Sequence, residues 1–254
     1  MGGVVVGRRR AEPSNSALQF GASEAQLHDM ELSLMHVWDL PVDVSIDLDE
    51  DLQRELGTAT TVSAIHGPVL AALVGQHPDL LILARDPEDH HLSKTLRACV
   101  RHAPCPLIVV PATATTHFSR VVVGVSRTPA SATALRWAAR EAELHDAQLV
   151  PLHAWQVRPG SIADVFHPAR ATLRQERQAA DDLTEWIREV IPHAQFCTEV
   201  VHGAPLDSFL NAAGETDLVV VGRTKHHVLD QAVHERIAED LAMLLACPVA
   251  VIPS

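Results

Sequence analysis

The sequence predicts an α/β protein of two tandem, doubly wound, Rossmann-like domains, each built on a five-stranded parallel sheet. Three observations carry this prediction. First, short continuous apolar runs rich in branched residues recur at 79–84, 107–110, 218–221 and 249–252. Runs of that length and composition suit strands covered on both faces. Second, the chain between the members of each pair is amphipathic and long enough for a helical crossover. Third, the chain repeats itself. Residues 4–41 align without gaps on 121–158, at an offset of 117, with 17 identities in 38 positions. Gly7 matches Gly124, Leu27-His28-Asp29 match Leu144-His145-Asp146, and Trp38 matches Trp155. His66-Gly67 then matches His202-Gly203, where the offset has grown to 136. Two domains of ordinary size account for this repetition better than one large domain.

The elements follow in order. Residues 4–7 form a first strand. Pro13 and Ser14 open a helix to about Asp29, with Ala17, Leu18, Ala25 and Leu27 among its apolar positions. Leu32–Trp38 is the second strand. Residues 39–57 are acidic, but neither regular ligand spacing nor a turn glycine marks a calcium loop, so they read as a solvated loop or short helix. Residues 58–65 are a β-branched third strand, Val69–Val74 a helix, 79–84 the fourth strand, 92–102 a helix and Leu107–Val110 the fifth strand. Residues 112–118 are small, polar and unpatterned, which marks a linker. The domains are therefore expected over 1–112 and 119–254. The second repeats the order: strand 120–125, helix 131–145, strand 149–155, helix Pro168–Val190, strand 196–201, helix 206–213, strand 218–221, helix 228–245 and strand 249–252. In the longer second helix, Leu173, Ala180, Leu183, Ile187 and Val190 make one apolar face.

Charge and cysteine content narrow the function. The net charge of −12 disfavours nucleic acid. Arg8-Arg9-Arg10 is a local exception that reads as solvated surface. Cys99, Cys105, Cys197 and Cys247 show no C-x-x-C spacing, and no signal peptide or apolar run of spanning length appears. Reduced thiols in a cytoplasmic protein without a membrane partner are expected.

Val-Val-Val-Gly at the start, His-Gly-x-Pro before the third helix, Asp-Leu-(apolar)-Gly, and a closing Cys-Pro-(apolar) together resemble the universal stress protein family across nearly the whole chain, as two tandem domains. The resemblance implies a sheet order of 3-2-1-4-5 in each domain. It also implies that nucleotide-binding members set an acidic residue after strand one against adenosine and cradle phosphates in a G-x2-G-x9-G-(S/T) loop after strand four. Glycines let backbone approach the anion, and N–H groups at a helix start point at it. This chain departs from that pattern twice. In the second copy Gly222 is present, and Cys247 follows at the family spacing. Lys225 and Glu235 replace the next two glycines, Arg236 the hydroxyl residue and Ser126 the acidic one. In the first copy Ala84 replaces the initial glycine, Ser93-Lys94 fall at the Gly-(S/T) positions, and Arg9 stands for the acid.

If a nucleotide or anion binds at all, the expected contacts are Gly124, Ser126, Gly222, Arg223, Lys225, His226 and Arg236. Gly124-Val-Ser126-Arg-Thr128 is half of a nucleophile elbow, G-x-S-x-G, without its last glycine, and reads as a plain strand-to-helix turn. His90-His91 and His226-His227 sit in matching loops, but adjacency supplies no third and fourth ligand, so no metal is expected there. His28 and His145 end matching helices, where a positive charge suits the dipole.

The reading is a non-catalytic stress-response or regulatory protein, acting through an unidentified protein partner, without a cofactor. The alternative is an ATP-binding member, a slow ATPase, using a non-standard site in the second domain. Metal-dependent chemistry through the histidines is a distant third. The two fifth strands, each an open apolar edge, are expected to pair antiparallel and join the domains as an intramolecular pseudo-twofold pair. A further homo-oligomer is compatible with this.

Overall fold

The structure, a computed structural model, describes residues 3–8, 16–38, 60–66, 69–85, 91–155, 168–223 and 228–254. The first half contributes β1 (Val4–Arg8), α1 (Ser16–Leu27), β2 (Leu32–Trp38), β3 (Thr60–His66), α2 (Val69–Val74), β4 (Leu80–Ala84), α3 (Lys94–His102) and β5 (Leu107–Val110). The second contributes β6 (Arg120–Gly124), α4 (Pro129–Leu144), β7 (Gln148–Trp155), α5 (Pro168–Val190), β8 (Glu199–His202), α6 (Pro205–Ala212), β9 (Asp217–Arg223), α7 (Val228–Leu244) and β10 (Val249–Pro253).

The expectation of two separate five-stranded parallel sheets, packed as a pair, is corrected here. The ten strands form one continuous mixed sheet in the order β3-β2-β1-β4-β5-β10-β9-β6-β7-β8. Its neighbours run parallel except at the centre, where β5 and β10 are antiparallel, with Val109 opposite Val249, Ile108 opposite Ala250 and Leu107 opposite Val251. The reason is the edge itself. Each fifth strand would otherwise present unpaired backbone groups beside fully buried side chains. Pairing the two edges satisfies both rows and leaves one sheet, so edge pairing and separate sheets exclude each other.

Alternation along the strands divides the core into two layers that both cross this junction. One face buries Val4, Val6, Ile82, Ile108, Val121, Val220 and Ile252 beneath α1 and α4. The other buries Val5, Leu81, Leu107, Val122, Val219 and Val251 beneath α3 and α7. Phe118, in the expected linker, is buried on the first face and packs on Phe20 at a centroid distance of 5.7 Å. The segment between β5 and β6 is thus anchored by an aromatic side chain.

Local chemistry explains the repeated motifs. The Leu-His-Asp triplets stop α1 and α4. Asp29 (φ 53°) and Asp146 (φ 50°) adopt the left-handed conformation, and the next N–H groups reach back, Met30 to Ala25 O and Ala147 to Ala142 O, both at 2.8 Å. That is the Schellman stop, in which aspartate tolerates the left-handed backbone. Thr128 caps α4, its Oγ1 accepting from Ser131 N–H at 3.2 Å, with Pro129 at the first helical position. Asp217 opens β9 and is buried. Its carboxylate accepts from Arg120 Nη2 at 2.6 Å and from Gly214 N–H at 2.7 Å, tying β9 to β6. No helix among the described residues is long and apolar enough to cross a membrane. The acidic segment 39–57, the arginines Arg9 and Arg10 and the helix start at Pro13 and Ser14 lie outside the described residues.

Candidate functional site

β6 and β9 lie side by side, and the chain leaves them toward opposite flanks of the sheet. The crevice outside their carboxyl ends is where open α/β sheets take ligands. A cavity of about 110 Å³ lies there, and Gly124, Ser126 and Gly222 all line it, with Thr128, Ser131 and Phe209. The structure therefore brings three of the expected contacts together.

Their local roles are already engaged. A Cβ on Gly222 would stand 2.6 Å from Ala130 O and 2.8 Å from Ala130 C, both backbone atoms at the start of α4. Gly222 is thus required for the close approach of β9 to α4, whether or not a ligand is present. A Cβ on Gly124 would stand 2.7 Å from Phe209 Cζ, so the α6 ring fills the space over that glycine. Arg127 (φ 57°) turns the chain between β6 and α4. The Ser126 N–H donates to Ser131 Oγ at 3.0 Å, and the two hydroxyls are also 3.0 Å apart. His153 Nδ1 donates to Val125 O at 2.7 Å. In this turn the polar groups are spent on one another.

Arg223 departs most from its expected place. It is buried, and its guanidinium points across the junction to α3, donating from Nη1 to Val100 O at 2.9 Å and from Nη2 to Ala103 O. These are carbonyls at the carboxyl end of α3, where a cation meets the negative end of the dipole. The repeat does the same in reverse. Arg85, at the equivalent position after β4, donates from Nη1 to Ala242 O at 3.2 Å and to Met243 O, at the end of α7. Burial lowers the pKa of Arg85 from its ordinary value. Between the same two helices, Glu239 of α7 accepts from Arg101 and lies 3.4 Å from Arg97 Nε.

Of the remaining expected contacts, Arg236 is exposed on α7, and Lys225 and His226 lie outside the described residues, as do His90 and His227. Ser93 caps α3, its Oγ accepting from Leu96 N–H at 3.2 Å. Burial pushes the thiols of Cys99 and Cys247 up to about 12 and that of Cys105 up to about 11, which makes all three inert near neutrality.

On the opposite face of the sheet lies a cluster that the sequence reading missed. Glu24 of α1 and Glu141 of α4 are buried and face the histidines that end those helices. His28 Nε2 is 3.1 Å from Glu141 Oε2 and 3.5 Å from Glu24 Oε2, and His145 Nε2 is 3.1 Å from Glu24 Oε1. Each histidine thus crosses to the other half's glutamate, and the dipole role expected of His28 and His145 is secondary to this exchange. The Glu141 contact, then the Glu24 contact, raises His28 to about 9 against the opposing effect of burial. Burial works against the Glu24 carboxylate, but its contacts with His145 and His28 hold the pKa below the usual carboxylate value. The signal available in the sequence was that Glu24 and Glu141 stand at the same offset of 117 as His28 and His145.

Comparison with known proteins places this geometry. The chain is 25% identical to a universal stress protein of Mycobacterium tuberculosis, over 98% of this chain and 95% of that one. Its fold is similar to a crystal structure of a putative universal stress protein from Pseudomonas aeruginosa (TM-score 0.73, 17% identity, 98% of this chain and 92% of that one). A universal stress protein from Archaeoglobus fulgidus has a similar fold (TM-score 0.67, 11% identity, 99% of this chain and 96% of that one). The sequence model of the universal stress protein family matches residues 117–253, more than half of the 254 residues, and the chain belongs to that family.

Proposed function

We propose that this chain is a tandem universal stress protein, with units over 1–112 and 119–254, whose nucleotide motifs have been given over to its own packing. It acts in the cytoplasm, without a nucleotide cofactor, through contacts with a protein partner. Family membership makes it a stress-response protein of a regulatory type and is consistent with a protein that is not an enzyme. One observation carries the finer reading: Gly222 and Arg223, the residues best suited to an anion cradle, face Ala130 O and the α3 carbonyls instead. The second copy thereby loses a charge and gains a rigid joint.

A second reading, ATP binding at a non-standard site, rests on the convergence of Gly124, Ser126 and Gly222 on one cavity. At about 110 Å³ that cavity is smaller than the roughly 300–1,000 Å³ of ordinary small-molecule sites. Calorimetry with ATP and magnesium separates the two. The proposal expects binding weaker than about 100 μM, or about −5.5 kcal/mol. A salt-insensitive dissociation constant in the low micromolar range overturns it, because surface cations such as Arg236 would be screened.

A further inference from the structure

The Glu24, His28, Glu141 and His145 cluster has a chemistry that the stress-protein reading does not use. Two carboxylates are buried side by side, 1% and 0% exposed. A buried negative pair requires about two positive charges nearby. Two imidazolium ions are one source. One divalent cation, with both imidazoles neutral, is another. The contacts distinguish them. His28 Nε2 and Glu141 Oε2 are hydrogen-bonded at 3.1 Å, but neither Glu24 oxygen has a hydrogen-bond partner, nor do Glu141 Oε1, His28 Nδ1 or His145 Nε2. Ion pairs held by protons would align each N–H on an oxygen. Glu24 instead keeps both oxygens unmatched, although His28 and His145 stand 3.5 and 3.1 Å from them.

The spacing suits a cation at this cluster. One ligand atom each from Glu24, His28 and Glu141 lies within 4.8 Å of the other two. Metal bonds of about 2.0–2.2 Å in a tetrahedron set neighbouring ligand atoms about 3.3–3.6 Å apart. His145 is outside this set of three and faces the other Glu24 oxygen at 3.1 Å. Nitrogen and carboxylate donors in this number suit zinc and its first-row neighbours rather than calcium or magnesium.

We propose that Glu24, His28 and Glu141 bind a divalent first-row transition ion of the zinc type as a structural clasp between α1 and α4. The carboxylates are fully buried and line no part of the cavity at the strand ends, so the role is structural. Binding joins the two halves across the sheet junction. A metal-bound imidazole must be neutral, so acid weakens binding.

The experiment uses the full chain, made without an affinity tag, stripped with chelator and titrated with zinc chloride. About one zinc per chain, proton release on binding and a raised Tm are expected. His28→Asn and Glu141→Gln should each weaken binding by at least the roughly 10–100-fold that loss of even an outer partner costs a metal site. Changing His90, His91, His226 and His227 to alanine together with Cys197→Ser should leave binding intact. Should the cluster variants fail to fold, cobalt added to the unaltered protein decides. An intense tetrahedral visible band without a sulfur charge-transfer band supports the site. The proposal is overturned if zinc neither binds near one per chain nor moves the Tm, if binding disappears with the loop variant, or if cobalt shows an octahedral or thiolate spectrum.

Discussion

Gly222→Ala separates a glycine kept for a ligand from one kept for packing. The added Cβ would sit 2.6 Å from Ala130 O and 2.8 Å from Ala130 C. Those atoms are backbone at the capped start of α4, so no rotamer change relieves the contact. Either β9 or the first turn of α4 must move, and β9 is paired on both sides, to β10 and to β6. Overpacking of this kind costs roughly 1–3 kcal/mol. For a chain of this size each kcal/mol lowers Tm by about 2–4 °C, so a drop of about 2–12 °C is expected. Gly124→Ala is the internal comparison. Its nearest obstacle is the tip of the Phe209 ring, which can shift, so a smaller loss is expected. Calorimetric unfolding without nucleotide is the assay. An unchanged Tm for Gly222→Ala, with loss of an ATP signal present in the parent, would refute the packing account and restore the phosphate cradle.

Three further outcomes are expected. Arg223→Met should cost about 1.5–3 kcal/mol, the range for hydrogen bonds to a charged group, and Arg85→Met less, since Arg85 is less buried; urea midpoints at constant m-value check both. In chelator-treated protein, the raised pKa of His28 gives stability that is fully present below about pH 6.5 and lost as pH rises through about 9. The lowered pKa of Glu24 acts in the opposite sense, its stability present above about pH 4.5 and lost as pH falls below it. Glu24, Glu141 and His145 are the groups facing His28, so His28→Gln should flatten the alkaline slope of a urea-midpoint profile and leave the acid limb in place. Finally, a disulfide reagent at pH 8 should modify exposed Cys197 rapidly while buried Cys99, Cys105 and Cys247 react only on unfolding; rapid modification of more than one thiol in the folded protein would contradict their burial.

The strands were legible because a sheet covered on both faces leaves a run of branched apolar residues wherever it passes. The frame of β8 was less so. Its ladder starts at Glu199, three residues beyond the expected start, although Cys197 N–H already donates to Leu149 O of β7 at 3.0 Å. Whether the chain makes two sheets or one depends on hydrogen bonds between β5 and β10, and those partners are 140 or more positions apart in sequence. The site was read through its neighbours. Arg223 follows a glycine at a strand end and so resembles an anion contact, but its acceptors belong to Val100 and Ala103. Glu24 sits beside the apolar Ala25 on α1, and nothing in its own neighbours marks it as buried. It is buried because α4 arrives from the other half, bringing His145 with it. In both cases the missing information was which surfaces the two repeats turn toward each other.

That question bears on why the junction carries charge at all. The pairing of β5 with β10 spans three residue pairs, and every residue in them is apolar and buried. A slip of one residue would exchange the two core faces and is excluded by burial. A slip of two residues keeps every side chain on its face, so apolar packing alone discriminates weakly against it. It would move one half past the other by about 7 Å. The reciprocal contacts do not survive such a shift. Arg223 would lose Val100 O and Ala103 O, Arg85 would lose Ala242 O and Met243 O, and the His28 and His145 contacts with Glu141 and Glu24 would open together. Each loss leaves a buried charge without a partner, which costs far more than the pair contributes when formed. The two charged pairs lie on opposite faces of the sheet, arginines with α3 and α7, histidines with α1 and α4. They therefore resist rotation about the strand axis as well as translation along it. On this account stability is not the whole contribution of the buried charges. They select one register for an edge-to-edge junction that the hydrophobic effect leaves open to sliding.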